Sequence, residues 1–158
     1  MSHVIRFQVV GLPKPKGSMR FFPHKTTGKI YMKHDNPGTV SWAARVTEEA
    51  LAHRPRAGCW DGPCAVTLIF GLPRPKGHYG KHGLKPSAPT YPVTKPDLDK
   101  LSRNVKDALK HVVYRDDAQV VKEAQEKTYA EVPGVIVQVE LMEERVCPAS
   151  TVLSASAI

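Results

Sequence analysis

Cysteine is scarce in this chain of 158 residues: Cys59, Cys64 and Cys147 form an odd set with no CxxC pair. Neither a disulfide framework nor a cysteine zinc site is compatible with that set, which leaves reduced, structural thiols. Long apolar runs are missing as well, none approaching the roughly 18 residues that a membrane span needs. The opening MSHVIRFQVVG lacks the basic-then-apolar layout of a secretory signal. A cytoplasmic protein with no membrane partner is expected. Hydrophobic residues at 41% and charged residues at 24% exclude a wholly disordered chain, and the length suits one core.

Acid is absent where base is plentiful. Lys14 to Lys33 holds six Lys/Arg and Arg74 to Lys95 holds five, with no Asp or Glu in either stretch. Residues 1–96 carry 15 basic and 4 acidic side chains, net +11, whereas residues 97–158 carry 8 and 11, net −3. So lopsided a chain implies a polyanionic partner, nucleic acid before membrane because no amphipathic basic helix is apparent. A merely basic, soluble surface is the alternative.

Periodicity predicts the elements. Val4 to Gly11 alternates Ile5, Phe7 and Val9 with Arg6 and Gln8, as a half-buried strand does. A Pro-rich basic loop follows, with a turn at Gly28 into a short strand near Lys29 to Met32. After a break at Asn36-Pro37-Gly38, a helix is expected over Thr39 to His53, where Val40, Ala43, Thr47, Ala50 and Leu51 recur at helical spacing; Pro55 ends it. Ala65 to Phe70 reads as a buried strand. Its exit, Gly71-Leu-Pro-Arg-Pro-Lys-Gly77, nearly copies Gly11-Leu-Pro-Lys-Pro-Lys-Gly17, so two similar basic loops are expected to leave two strands on one rim. Arg74 to Lys95 reads as a long loop. Leu98, Leu101, Val105, Leu109 and Val112 specify an amphipathic helix ending near Val112. Strands follow at Gln119 to Tyr129 and, after a Pro133-Gly134 turn, across Val135 to Leu141. The order predicts an α+β (mixed α/β) fold: a small mixed sheet of four to five strands packed with two main helices. Residues 1–146 are expected to form a single domain and 147–158 a flexible tail.

The acids cluster around the second helix. Asp97 and Asp99 stand two apart, which puts both carboxylates on one face only in extended backbone, and Pro96 biases Lys95 that way. The helix is therefore expected to begin at Asp99 as its cap, with Asp97 just before it. Two adjacent carboxylates repel, raising one pKa unless a cation sits between them. Asp116-Asp117 forms a second pair in the turn after the helix. Each pair has an ordinary structural reading, as a cap with a dipole partner or as an Asp-Asp turn. Taken together, oxygen ligands with no nearby His or Cys favour Mg2+ or Mn2+ and phosphoryl chemistry.

Lys95-Pro-Asp-Leu-Asp-Lys-Leu-Ser-Arg103, Asp107-Ala-Leu109, Tyr114-Arg-Asp-Asp-Ala-Gln-Val-Val121 and Lys127 resemble the signature of the RusA family of Holliday junction resolvases. The resemblance implies a homodimeric, Mg2+-dependent endonuclease that cuts branched DNA, such as a four-way junction, symmetrically. It places the family's essential aspartates on Asp97, Asp99 and Asp117, with Asp116 as the rival third acid, and the catalytic lysine on Arg103. The chain departs from the familiar form at that lysine and at Lys100, where Asn follows the second Asp. Arg103 can grip a phosphate with two donors but cannot donate a proton near neutral pH. It also lies four residues after Asp99, the spacing of an intrahelical ion pair.

Lys127 reaches the scissile phosphate if its strand runs beside the acids. The candidate catalytic set is thus Asp97, Asp99, Asp117, Arg103 and Lys127, with the three aspartates as metal ligands. Asp107 reads as a surface or helix-supporting acid. Lys14, Lys16, Arg20, Arg74, Lys76 and Lys100 are candidates for gripping DNA backbone. Phe21, Phe22, Tyr79 and Tyr91 are candidates for stacking on exposed bases, although Phe21 and Phe22 read rather as core or loop anchors. Two rivals stand beside this reading. One is a degenerate restriction-type core built from Pro96-Asp97 and Gln125-Glu126-Lys127. The other is a non-catalytic DNA-binding accessory protein whose acids only cap and turn.

Overall fold

The computed structural model describes residues 3–17, 19–34 and 38–143; the expected tail at 147–158, Cys147 and the Asn36-Pro37 break lie outside them. In chain order the elements are β1 (His3–Val10), β2 (Met19–Pro23), β3 (Ile30–His34), α1 (Thr39–His53), β4 (Cys64–Leu72), β5 (Tyr79–Gly80), β6 (Gly83–Leu84), α2 (Leu98–Leu109), β7 (Val120–Tyr129) and β8 (Gly134–Leu141). The main sheet has the order β1-β8-β4-β7. β8 is antiparallel to β1 and β4, and β7 is parallel to β4. β1, β4 and β7 therefore run in one direction and end on one rim. This is the expected mixed α/β sheet with two helices.

Period-2 alternation sends one face of each inner strand to the helices. Val66, Leu68 and Phe70 of β4 and Val135, Val137 and Val139 of β8 are at most 1% exposed. Both helices lie on this face, α1 against β1 and α2, and α2 against β7. Leu101, Val105 and Leu109 are buried one helical turn apart along α2. The helix stops at Leu109, short of the expected Val112, because Lys110 is extended and the chain turns back so that Tyr114 can be buried. The Tyr114 hydroxyl donates to the Lys106 carbonyl at 3.0 Å. At the rim, Gly134 is required: an added Cβ would stand 2.4 Å from the Val9 carbonyl oxygen.

Three expectations need correction. The buried face of α1 is Thr39, Trp42, Val46 and Ala50, while Val40 is 67% and Leu51 46% exposed; the large Trp42 ring sets the rotation of the helix. The basic loop after β1 contains a second strand, β2, which pairs with β3 as a separate hairpin. Phe21 and Phe22 lie on that hairpin, exposed rather than in the core. Its period was hidden because apolar residues occupy both faces. Among the described residues, no helix is long and apolar enough to cross a membrane.

Candidate active site

The cap position of α2 is Asp97 and its first helical residue Leu98, two residues earlier than the expected cap at Asp99. The Asp97 backbone is extended, and its carbonyl accepts from Leu101 N–H at 3.1 Å, starting the helix. Leu98 packs against the core, which draws the first turn inward. Asp99 consequently sits in the first helical turn, not in extended chain beside Asp97. The Asp97 side chain makes no cap; its carboxylate lies 3.1 Å from Lys100 Nζ. Asp99 is exposed at the positive end of the helix, where negative charge is favoured. Among the described residues, neither Asp99 nor Arg103 has an ion pair or side-chain hydrogen bond, so their i,i+4 pairing does not form.

β7 runs back alongside α2. Glu123, Gln125 and Lys127 are in register with the buried Val66, Leu68 and Phe70, and so face the helices. Lys127 Nζ donates to the carbonyls of Thr94 at 2.8 Å and Pro96 at 3.0 Å, which fixes its ammonium beside Asp97. Its strand does run beside the acids. Gln125 faces the same way, but Glu126 is in register with Ile69 on the face no helix covers. A restriction-type site would thus have a neutral amide where it needs a carboxylate. Glu123 bonds Lys106 Nζ at 2.7 Å and the Ser102 hydroxyl. Burial pushes its carboxyl up, but those two hydrogen bonds prevail and hold it below the ordinary range.

The other acidic pair lies past the far end of α2. Asp116 accepts from Ala118 N–H at 3.0 Å and donates its own N–H to Gln119 Oε1 at 2.9 Å, a capping box on the turn Asp117–Gln119. Lys110 Nζ stands 2.8 Å from Asp116 and 3.7 Å from Asp117. The Lys110 hydrogen bond, then that of Ala118, holds the Asp116 carboxyl well below the usual range, and the same bond pushes the Lys110 ammonium up. Asp116 is therefore committed to structure, and Asp117 is held more loosely.

A helix of 12 residues is about 18 Å long. Asp97 and Asp99 stand at one end and Asp117 beyond the other. Among the described residues, no three His, Cys, Asp or Glu side chains come close enough to hold one ion. The three aspartates of one chain do not fit a shared metal. Asp97 at the cleft and the exposed Asp99 two residues on are carboxylate oxygen donors, the donor type of a hard cation such as Mg2+, which takes one or two carboxylates and completes its shell with water and substrate phosphate.

The two near-identical loops meet at the common rim, as their repetition implied. The first is clamped to the helices: Asn104 Nδ2 donates to Lys14 O at 2.8 Å, Thr39 Oγ1 to Pro15 O at 3.0 Å and Lys16 N–H to Lys100 O at 2.9 Å. Lys16 Nζ pairs with Asp107, which makes Asp107 helix-supporting. In the second loop Arg74 donates to Pro89 O at 2.7 Å and lies 4.0 Å over the Tyr129 ring, while Lys76 is exposed. The Arg20 side chain lies outside the described residues. Both loops, Pro92 and residues 94–97 line a cleft of about 440 Å3 that reaches Asp97 and Lys100. Periodicity gave no sign of the cleft residues Thr94 and Tyr129 or of the Ser102–Lys106–Glu123 group; the repeated loop was the one hint of the cleft.

A basic cleft bordered by the Asp97 carboxylate, whose one partner among the described residues is Lys100, on a small mixed sheet is the construction of an enzyme acting on nucleic acid. The family model for endodeoxyribonuclease RusA matches residues 12–140, from the first basic loop through most of β8. The chain is 34% identical over 142 residues to the uncharacterized protein YqaN of Bacillus subtilis (strain 168), a match covering 85% of this chain and 94% of that protein. This chain belongs to the RusA endodeoxyribonuclease family, hydrolases that act on DNA.

Proposed function

We propose that this chain is a cytoplasmic, homodimeric, Mg2+-dependent endonuclease that resolves branched DNA by hydrolysing one phosphodiester on each of two opposed strands. The observation that carries the reading is the Asp97 carboxylate, not spent on capping, between the pinned Lys127 and a basic cleft, with the exposed Asp99 two residues on. Asp97 and Asp99 would hold the ion, which when bound supplies Lewis-acid polarisation of the phosphate and a lowered pKa for attacking water. Lys127, its ammonium fixed by two carbonyls, and Lys100 set positive charge where the phosphate gains negative charge. Arg103 grips a phosphate oxygen pair without giving up a proton. Lys14 and Lys76 hold flanking phosphates with no sequence preference, while Lys16 and Arg74 shape the loops that carry them. Residues 1–146 act as one domain, with 147–158 as its tail.

Asp117 enters through the dimer. β7 is an edge strand whose residues 121–126 are all exposed, so its outer edge is open for pairing. Antiparallel pairing of two β7 edges about a two-fold axis turns each Asp117 end toward the opposite chain's Asp97 end. This supports Asp117 of the partner subunit as the third carboxylate. A four-way junction has near two-fold symmetry, so such a dimer offers one site to each opposed strand. The test is cleavage of a synthetic four-way junction with and without Mg2+. Wild-type protein is expected to cut only with the ion, and Asp97→Asn to bind without cutting. Undiminished cutting by Asp97→Asn overturns the reading.

A further inference from the structure

The nuclease reading uses the cleft beside Asp97 only at its rim. The interior has a different chemistry. It lies where β1, β4 and β7 all end, the side on which sheets with parallel strands bind ligands. Three separate segments, the two basic loops and the stretch before α2, bring six prolines to its lining, together with Leu12, Leu72 and Tyr129. Proline has no N–H with which to hold a phosphate. A lining of apolar rings suits instead the flat face of an aromatic heterocycle. Positive charge comes from Lys14, Lys95 and Lys100 against the one carboxylate of Asp97. Apolar lining plus lysines matches a base with its flanking phosphates, and the volume lies within the range of small-ligand sites.

Two further features point the same way. The Tyr129 ring is held in place by the Arg74 guanidinium at 4.0 Å and by the edge-on His78 ring at 5.6 Å. Leu12 is 45% exposed at the cleft, an apolar side chain that a ligand would cover.

We infer that the cleft receives one unstacked nucleobase from the branch point, with one neighbouring phosphate on Lys14 and the other, the one to be cut, at Asp97 and Lys100. The inference rests on the nuclease reading and supplies a means of choosing branched over continuous DNA. A base inside a duplex must break stacking on both sides to enter, whereas a base at a branch has already lost part of it.

The test uses full-length protein in EDTA, so that binding is read without cutting. Synthetic four-way junctions carry 2-aminopurine at one position at a time around the branch, and its fluorescence rises on unstacking. A rise is expected at one position in each of two opposed strands. Leu12→Trp, which fills the cleft, should abolish the rise and weaken junction binding about 10-fold, the order of one lost base-stacking contact, while straight-duplex binding stays within about twofold. Thr94→Trp fills the cleft from another segment and should do the same; it serves if Leu12→Trp does not fold by circular dichroism. No rise at any position, or a rise that survives both folded variants, overturns the subsite. Cutting is assayed separately with Mg2+: a localised rise without cutting supports the subsite and defeats the nuclease reading, and cutting without a rise does the reverse.

Discussion

The two ends of α2 carry the same residue type to different purposes. At the C-terminal end Asp116 is tied to Lys110 Nζ, to Ala118 N–H and, through its own N–H, to Gln119. At the N-terminal end Asp99 has no side-chain partner among the described residues, and Asp97 has only the half-exposed Lys100. A carboxylate with a full set of internal donors has little reason to take up a cation. One left at a positive helix end beside basic loops is available for chemistry. Asp116 and Asp117, rivals in the sequence, differ in the same way: Asp116 holds the capping box and the closer Lys110 contact, Asp117 only the longer one.

The largest effect is expected from the N-terminal end. Asp99→Asn should lower junction cutting at least about 100-fold, in the range of losing a principal electrostatic group, with junction affinity nearly unchanged in a gel-shift assay. Mixing subunits sharpens the comparison. A heterodimer of one Asp97→Asn chain and one Asp117→Asn chain should regain nicking of a single strand, because one of its two sites then has every acid intact; mixtures as inert as the separate variants would place Asp117 outside the partner's site. Leu109→Ala, at the C-terminal end, should cost about 2–5 kcal/mol in urea unfolding, as a fully buried leucine does.

Smaller effects follow. Arg103→Ala should slow cutting about tenfold, or about 1.4 kcal/mol of barrier, while Arg103→Lys restores it; equal loss in both would make the guanidinium shape essential. Asp116→Asn should leave cutting untouched and lower the melting temperature slightly. Because the folded state holds Asp116 below its ordinary pKa, its stabilisation is present above the ordinary carboxylate range and fades as pH falls through the lower folded value. Melting curves from about pH 6 down to about pH 2 should therefore decline less steeply in Asp116→Asn than in wild type.

Elements with one buried face could be read from the chain, since burial on a single side imposes a period of 2 or 3.6. β1, β4, β8 and α2 were located that way within a few residues. α1 was placed correctly but rotated wrongly, because Val40 and Leu51 are as apolar as the residues that the packing of Trp42 in fact selects. The β2–β3 hairpin showed no period because apolar residues occupy both of its faces, Phe21, Phe22, Ile30 and Tyr31 all being exposed. The cap of α2 shifted by two residues, from Asp99 to Asp97, because Leu98 packs inward and Asp97 gives its carbonyl to the helix.

The sequence by itself determined which chemistry is present: hard oxygen acids in two short pairs, basic Pro-rich loops in near duplicate, and the alternations that make a small mixed sheet under two helices. Only the tertiary structure decided which charges stay uncommitted, that the duplicate loops share a rim, and that the Asp116–Asp117 pair lies a helix length from Asp97 and Asp99. Ion pairs and caps act over a few ångströms, and the partners that consume a charge, such as Lys16 and Asp107, are far apart along the chain.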